Sequence, residues 1–167
     1  DNELLFRIVL EAPLYEVKIA AVQRMTEQSF LYQVAKMDQG ALSYEAVKRI
    51  SSETILAEIA PLTSYREVRN GSDCVSPREA TISRIQNVNM LASVAMQIDY
   101  DQGGKAVLLK LTDQKLLRRI AKGHRDIKMR CAAVGKLHDK KMLEDVIANA
   151  QNKQVLTAAL NRLSGLK

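Results

Sequence analysis

A large apolar residue closes the same short segment six times along this chain, at Met25, Ile50, Ile85, Leu111, Leu137 and Leu163. The spacings are 25, 35, 26, 26 and 26 residues. A second mark follows six residues later, at Leu31, Leu56, Leu91, Leu117 and Leu143. A third comes four residues beyond that, at Ala35, Ala60, Ala95, Ala121 and Ile147. Marks kept in step over five units restrict the chain to a repeat architecture.

The spacing within a unit specifies its local structure. Val17, Ala21, Val22 and Met25 fall on one face of a 3.6-residue helix, and Leu31, Val34 and Ala35 on one face of the next. Between them Thr26, Ser51, Thr112 or the His138-Asp139 pair offers side-chain oxygens that can cap the second helix. Paired alanines at Ala20-Ala21, Ala132-Ala133 and Ala158-Ala159 permit close helix approach. One such pair has two apolar faces and cannot bury both alone, whereas stacked copies bury them in one core. The expected fold is all-α: a right-handed α-solenoid of about five stacked antiparallel helix pairs, with half-repeats at both ends.

A single domain over 1–167 is expected. Residues 2–11 match the second helix of a preceding repeat. Repeats follow at 14–37, 42–60, 65–97, 105–122 and 127–150, with a terminal helix at 154–163. Repeat three departs from the period. Arg66-Glu67-Val68-Arg69 echoes Tyr15-Glu16-Val17-Lys18 and predicts a helix start, which Asn70-Gly71 ends. Ser76-Pro77-Arg78-Glu79 then restarts a helix with a capping box. The spacing of 35 leaves about nine extra residues, placed at 70–77, and Asn70, Gly71, Asp73 and Cys74 form a candidate insertion loop. Asp99 to Gly104 reads as a flexible joint with two glycines. The two half-repeats imply either capping helices or a piece of a longer array, with an apolar end open to end-to-end self-association.

Val17-Lys18-Ile19-Ala20-Ala21-Val22 and Asp126-Ile127-Lys128-Met129-Arg130-Cys131-Ala132-Ala133-Val134 resemble the Asp-x-x-Val-Arg-x-x-Ala core of HEAT-like (armadillo-type) repeats. Leu111-Thr112-Asp113-Gln114 is similar to the short bacterial form, and the leucine-rich repeat variant is the runner-up. Ser43 and Gly104 stand where the core pattern has a basic residue. The resemblance implies second helices on a concave face, first helices outside, and macromolecular binding. Some relatives of the superfamily act on damaged DNA or bilins, so a DNA glycosylase-like or bilin lyase-like enzyme is the remotest alternative. At Asp126 the resemblance implies an ion pair with Arg130.

Charge is regional. Lys105 to Lys141 carries 12 Lys/Arg against 3 Asp, while the rest carries 13 Lys/Arg against 16 Asp/Glu. That makes a nucleic acid or another acidic partner the alternative, through 105–141. The absence of Trp and the scarcity of other aromatics disfavour single-stranded nucleic acid, which needs stacking platforms. Arg24, Arg49, Arg84, Lys110, Lys136 and Arg162 share one position in all six first helices. They form either an anion track or, as preferred, a solvent-facing row favoured by the helix dipole.

No metal-spaced ligand set, phosphate cradle or nucleophile is nominated, so neither enzyme activity nor a cofactor is expected. Cys74 and Cys131 fit no disulfide spacing, which suggests a reduced, cytoplasmic compartment. No apolar run reaches the roughly 20 residues that span a bilayer, so no membrane partner is expected. Asp1 is not an initiator Met, which leaves room for an upstream segment. The expected function is a non-enzymatic scaffold that binds another protein on the concave surface. Candidate partner-binding residues are Tyr32, Gln33 and Lys36, with Lys115, Arg118, Arg119, Lys122 and Arg125.

Overall fold

The computed structural model describes residues 1–37, 40–63, 68–70 and 73–166, with the side chains of the two short strands left aside. The fold is all-α in class. Twelve helices stand among these residues: α1 (Asn2–Glu11), α2 (Tyr15–Arg24), α3 (Gln28–Lys36), α4 (Ala41–Arg49), α5 (Glu53–Ile59), α6 (Pro77–Arg84), α7 (Val88–Gln97), α8 (Gln102–Lys110), α9 (Gln114–Gly123), α10 (Ile127–Lys136), α11 (Lys140–Ala148) and α12 (Lys153–Ser164). Between α5 and α6 lie two strands, β1 (Val68–Asn70) and β2 (Asp73–Val75). The chain forms two compact units, Asp1–Met90 and Leu91–Lys167.

In the first unit the apolar marks are the core. Met25, Leu31, Ile50 and Leu56 are fully buried, each stabilising the fold by roughly 1.5–3 kcal/mol relative to exposure. Packing differs from the expected pairing in one respect. The second helix of one repeat lies mainly against the first helix of the next, as α1 on α2, α3 on α4 and α5 on α6. First helices α2, α4 and α6 lie side by side in sequence, and so do second helices α1, α3 and α5. Leu91–Lys167 repeats the scheme, with α9 on α10, α11 on α12, and α10 between α8 and α12.

Four of the turns between first and second helices are tied to the neighbouring repeat by one side chain each. Asn2 Oδ1 accepts from the Thr26 amide at 2.9 Å, and Gln28 Oε1 from the Ser51 amide at 2.8 Å. Glu53 Oε2 accepts from the Gln86 and Asn87 amides. In the second unit Gln114 Oε1 accepts from the His138 amide at 2.9 Å. Each acceptor is the first residue of its second helix, where it satisfies a turn donor that the turn itself leaves open.

These contacts correct the expected caps. The capping oxygens before α5 and α9 belong to Ser52 and Asp113, one residue beyond Ser51 and Thr112, whereas before α11 Asp139 of the His138-Asp139 pair caps as expected. Before α3 the cap position is Glu27 and makes no side-chain cap bond; Thr26 instead accepts from Asn2 Nδ2. Gly40 begins α4 with φ of +52°, a left-handed conformation that favours glycine.

Two further expectations are overturned. Val68–Asn70 is a strand rather than the start of a helix, paired antiparallel with Asp73–Val75 in the register Val68 to Val75. Arg66 and Glu67 lie outside the described residues. The expected joint at Asp99–Gly104 is instead the capped start of α8, with Asp101 accepting from the Gly104 amide at 2.9 Å. Gly103 and Gly104 are buried. A Cβ on Gly104 would collide with the Asp99 carbonyl and come 3.0 Å from Met129 Sδ, so the glycine serves close approach, not flexibility.

Candidate functional site

The row of cations ending the first helices is built into the repeat contacts. Arg49 Nε donates to the Met25 carbonyl at 2.9 Å, and Arg84 Nη1 donates to the Val47 carbonyl. Arg162 Nε donates to the Leu137 carbonyl at 2.7 Å. Lys136 Nζ donates to the Leu108 and Leu109 carbonyls, and burial pushes its ammonium below the ordinary lysine range. Every one of these acceptors lies at the carbonyl end of the preceding first helix, where orphan C=O groups and the helix dipole favour a cation. Arg24 and Arg49 are exposed, as expected of the row, and the others half-buried, while Arg49, Arg84, Lys136 and Arg162 also tie one first helix to the next. Arg24 is exposed and, alone in this group, makes no hydrogen bond or ion pair with described residues.

The Asp126–Arg130 pair is also replaced. Arg130 Nε donates to the Ala121 carbonyl at 2.9 Å. Asp126 caps α10 by accepting from Lys128, and its other oxygen accepts from the Tyr100 amide at 2.6 Å. Burial pushes the Asp126 carboxyl up, but these amides and nearby His124 outweigh it and hold it below the ordinary carboxylate range. His124 is 2 % exposed and its Nδ1 accepts from the Asp126 amide at 2.9 Å. That bond puts the neutral ring's proton on Nε2, which is buried without a partner among the described residues.

The basic cluster separates into bound and free members. Lys122 Nζ lies 2.9 Å from both Asp145 oxygens, and Arg118 Nη1 lies 3.4 Å from one of them. The Lys122 hydrogen bond holds the Asp145 carboxyl below its ordinary range against some burial. Arg125 pairs with Asp99 at 3.0 Å and donates to the Gln97 carbonyl. Lys115 and Arg119 are exposed and make no such bond with described residues. The strong amphipathicity of α9 comes from these cations opposite buried Leu117, Ile120 and Ala121.

In the first unit, Lys36 Nζ stands 4.9 Å from the centre of the Tyr32 ring, a cation–π contact along α3. Gln33 beside it is exposed. Of the insertion residues, Asn70 pairs with Asp73 and Cys74 with Arg69 across the hairpin, while Gly71 lies outside the described residues. Cys131 is half-buried, and burial pushes its thiol up, away from the reactive thiolate.

One surface feature lies outside the sequence expectations. Tyr100, Lys105, Leu108, Leu109, Ala132 and Lys136 line a groove of about 370 Å³ on α8 and α10. Leu109 is 77 % exposed, and Lys105 Nζ lies 5.8 Å from the Tyr100 ring centre. The signal in the sequence is helical phase: Val107, Leu108 and Leu111 take the buried face, which leaves Leu109 on the opposite side. Comparison with protein-family models, curated proteins and solved structures finds no match. Among the described residues no helix is long and apolar enough to cross a membrane, and no group of three His, Cys, Asp or Glu side chains could hold a metal ion.

Proposed function

We propose that the chain is a HEAT-like helical-repeat module, a short α-solenoid within each unit, that binds another protein without catalysing a reaction. The division between committed and free side chains carries this reading. Cations of the first helices and acceptors of the turns hold neighbouring repeats together. By contrast Gln33 on α3 and Lys115 and Arg119 on α9 are exposed, and the position shared by Gln33 and Arg119 changes in every repeat. Repeat scaffolds place partner specificity in such variable positions. The groove with exposed Leu109 beside Lys105 suits an apolar anchor with an acidic neighbour.

Polyanion binding through 105–141 is the second reading, supported by exposed Lys115, Arg119 and Lys128. The ion pairs of Arg118, Lys122 and Arg125 weigh against it, because each leaves less charge for phosphates. Affinity capture with mass spectrometry tests the choice. A Lys115→Glu, Arg119→Glu double variant should lose specific protein partners that wild type captures, in nuclease-treated extract. Partners retained unchanged by that variant and by Leu109→Glu contradict the proposal. Duplex binding at micromolar protein that falls steeply with salt would favour the second reading.

A further inference from the structure

One outward position of the first helices breaks its own pattern on α8. Two residues before each closing apolar mark stand Gln23, Lys48, Ser83, Leu109, Gly135 and Asn161, all exposed. Exposure of this kind suits polar residues, yet Leu109 is a large apolar one. At 77 % it is also the most exposed large apolar residue described. On α10 the same position holds Gly135. Glycine within a helix is unfavourable relative to alanine, and a Cβ on Gly135 would meet nothing within 4 Å. No contact inside the chain therefore calls for that glycine. Ala132, three residues before it, shares its side of α10 and lines the groove with Leu108 and Leu109. Because α10 stands between α8 and α12, the groove lies between neighbouring helices and not at an end of the chain.

Charge narrows what fits. Helices α2, α4 and α6 each carry a glutamate, at Glu16, Glu45 and Glu79. By contrast α8 and α10 carry Lys105, Lys110, Lys128, Arg130 and Lys136 and no acidic residue. The carboxylates nearest along the chain are committed: Asp101 and Asp126 cap the two helices, and Asp99 pairs with Arg125. Arg130 and Lys136 donate to backbone carbonyls. Lys105 and Lys128 are exposed, and neither ammonium has a carboxylate partner among the described residues. Lys105 instead stands near the Tyr100 ring. It also precedes Leu109 by one helical turn, about 6 Å, so a cation and an apolar surface share one face.

We propose that this groove docks a peptide segment of a partner protein, with a large aliphatic side chain against Leu109 and Ala132 and a carboxylate on Lys105. A separation of about 6 Å is two residues in an extended chain or four in a helix. The segment therefore carries Asp or Glu two or four residues from Leu, Ile, Val or Met. The inference rests on the protein-binding reading above for this groove alone. It does not depend on Lys115 or Arg119, so partner capture through α9 can fail without it.

Selection of short random peptides displayed on phage against the purified chain tests it, followed by fluorescence anisotropy with the strongest selected peptide. Selected sequences should share the aliphatic and acidic pair at the stated spacing. Leu109→Glu and Lys105→Glu should each weaken that peptide by about tenfold or more, as loss of a central anchor does. Gly135→Leu should do the same by filling the open space, although it favours the helix. Asn161→Glu adds a like charge at the same position of α12 and should leave affinity within about twofold. All four residues are exposed, and circular dichroism checks that helicity is retained. Selected peptides that lack the pair overturn the proposal, and so does affinity that survives Leu109→Glu or Gly135→Leu. Phosphatidylserine vesicles that bind wild type but not Leu109→Glu, with no peptide selected, overturn it in favour of a lipid surface.

Discussion

Arg49, Arg84, Lys136 and Arg162 show how one position can be uniform along a repeat for a reason internal to the fold. Each donates to carbonyls at the C-terminal end of the preceding first helix, where backbone acceptors outnumber donors. Replacing Arg84 with Met keeps most of the stem and removes the donor. Urea denaturation should show a loss of about 1 kcal/mol, a charged hydrogen bond discounted for partial exposure. Gly104→Ala should cost more, about 1–3 kcal/mol, because its Cβ meets the Asp99 backbone, which has little freedom to move. Asp126 makes a pH prediction. Its folded-state pKa is lowered, so its contribution is present above the unfolded value of about 3.9 and is lost as pH falls through the folded value. Melting temperature should therefore fall more steeply below about pH 4 for wild type than for Asp126→Asn. Parallel profiles would contradict the assignment.

At the scale of elements, the period of the apolar marks is sufficient to place the helices, because a 3.6-residue face leaves a direct trace in the chain. The capping box at Ser76 is equally legible, and the structure has both of its bonds. Ser76→Ala should cost about 1 kcal/mol, read from the same denaturation experiment. What escapes a reading of the chain are features whose cause lies in another repeat. Asp113 caps in place of Thr112, which occupies the turn, and Gln114 reaches across to hold the His138 amide. Asp126 meets Tyr100, 26 residues back, instead of Arg130 on its own helix. The hairpin escapes for a different reason. The likeness of Arg66–Arg69 to Tyr15–Lys18 is one of residue identity. Val68, Cys74 and Val75 are residues that strands favour, and Val68–Asn70 and Asp73–Val75 are paired strands. Of the candidate site, Lys115 and Arg119 are readable as exposed charge. The partners of Arg118, Lys122 and Arg125 are not, because Asp145 and Asp99 lie 23 or more residues away along the chain.

For the whole molecule, the same few ties recur in Asp1–Met90 and in Leu91–Lys167, so stability should be close to a sum of intrinsic repeat terms and nearest-neighbour terms. Distant ladder positions should then add almost independently. The central claim is that the cation row joins repeats, whereas the exposed cations of α9 serve a partner. Equilibrium urea denaturation of two variant sets tests it most directly. Arg49→Met, Arg84→Met and Arg162→Met should each lower the unfolding free energy by about 1 kcal/mol, and the triple variant by about their sum. Lys115→Met and Arg119→Met should stay within about 0.5 kcal/mol of wild type. Equal, negligible losses in both sets would contradict the account.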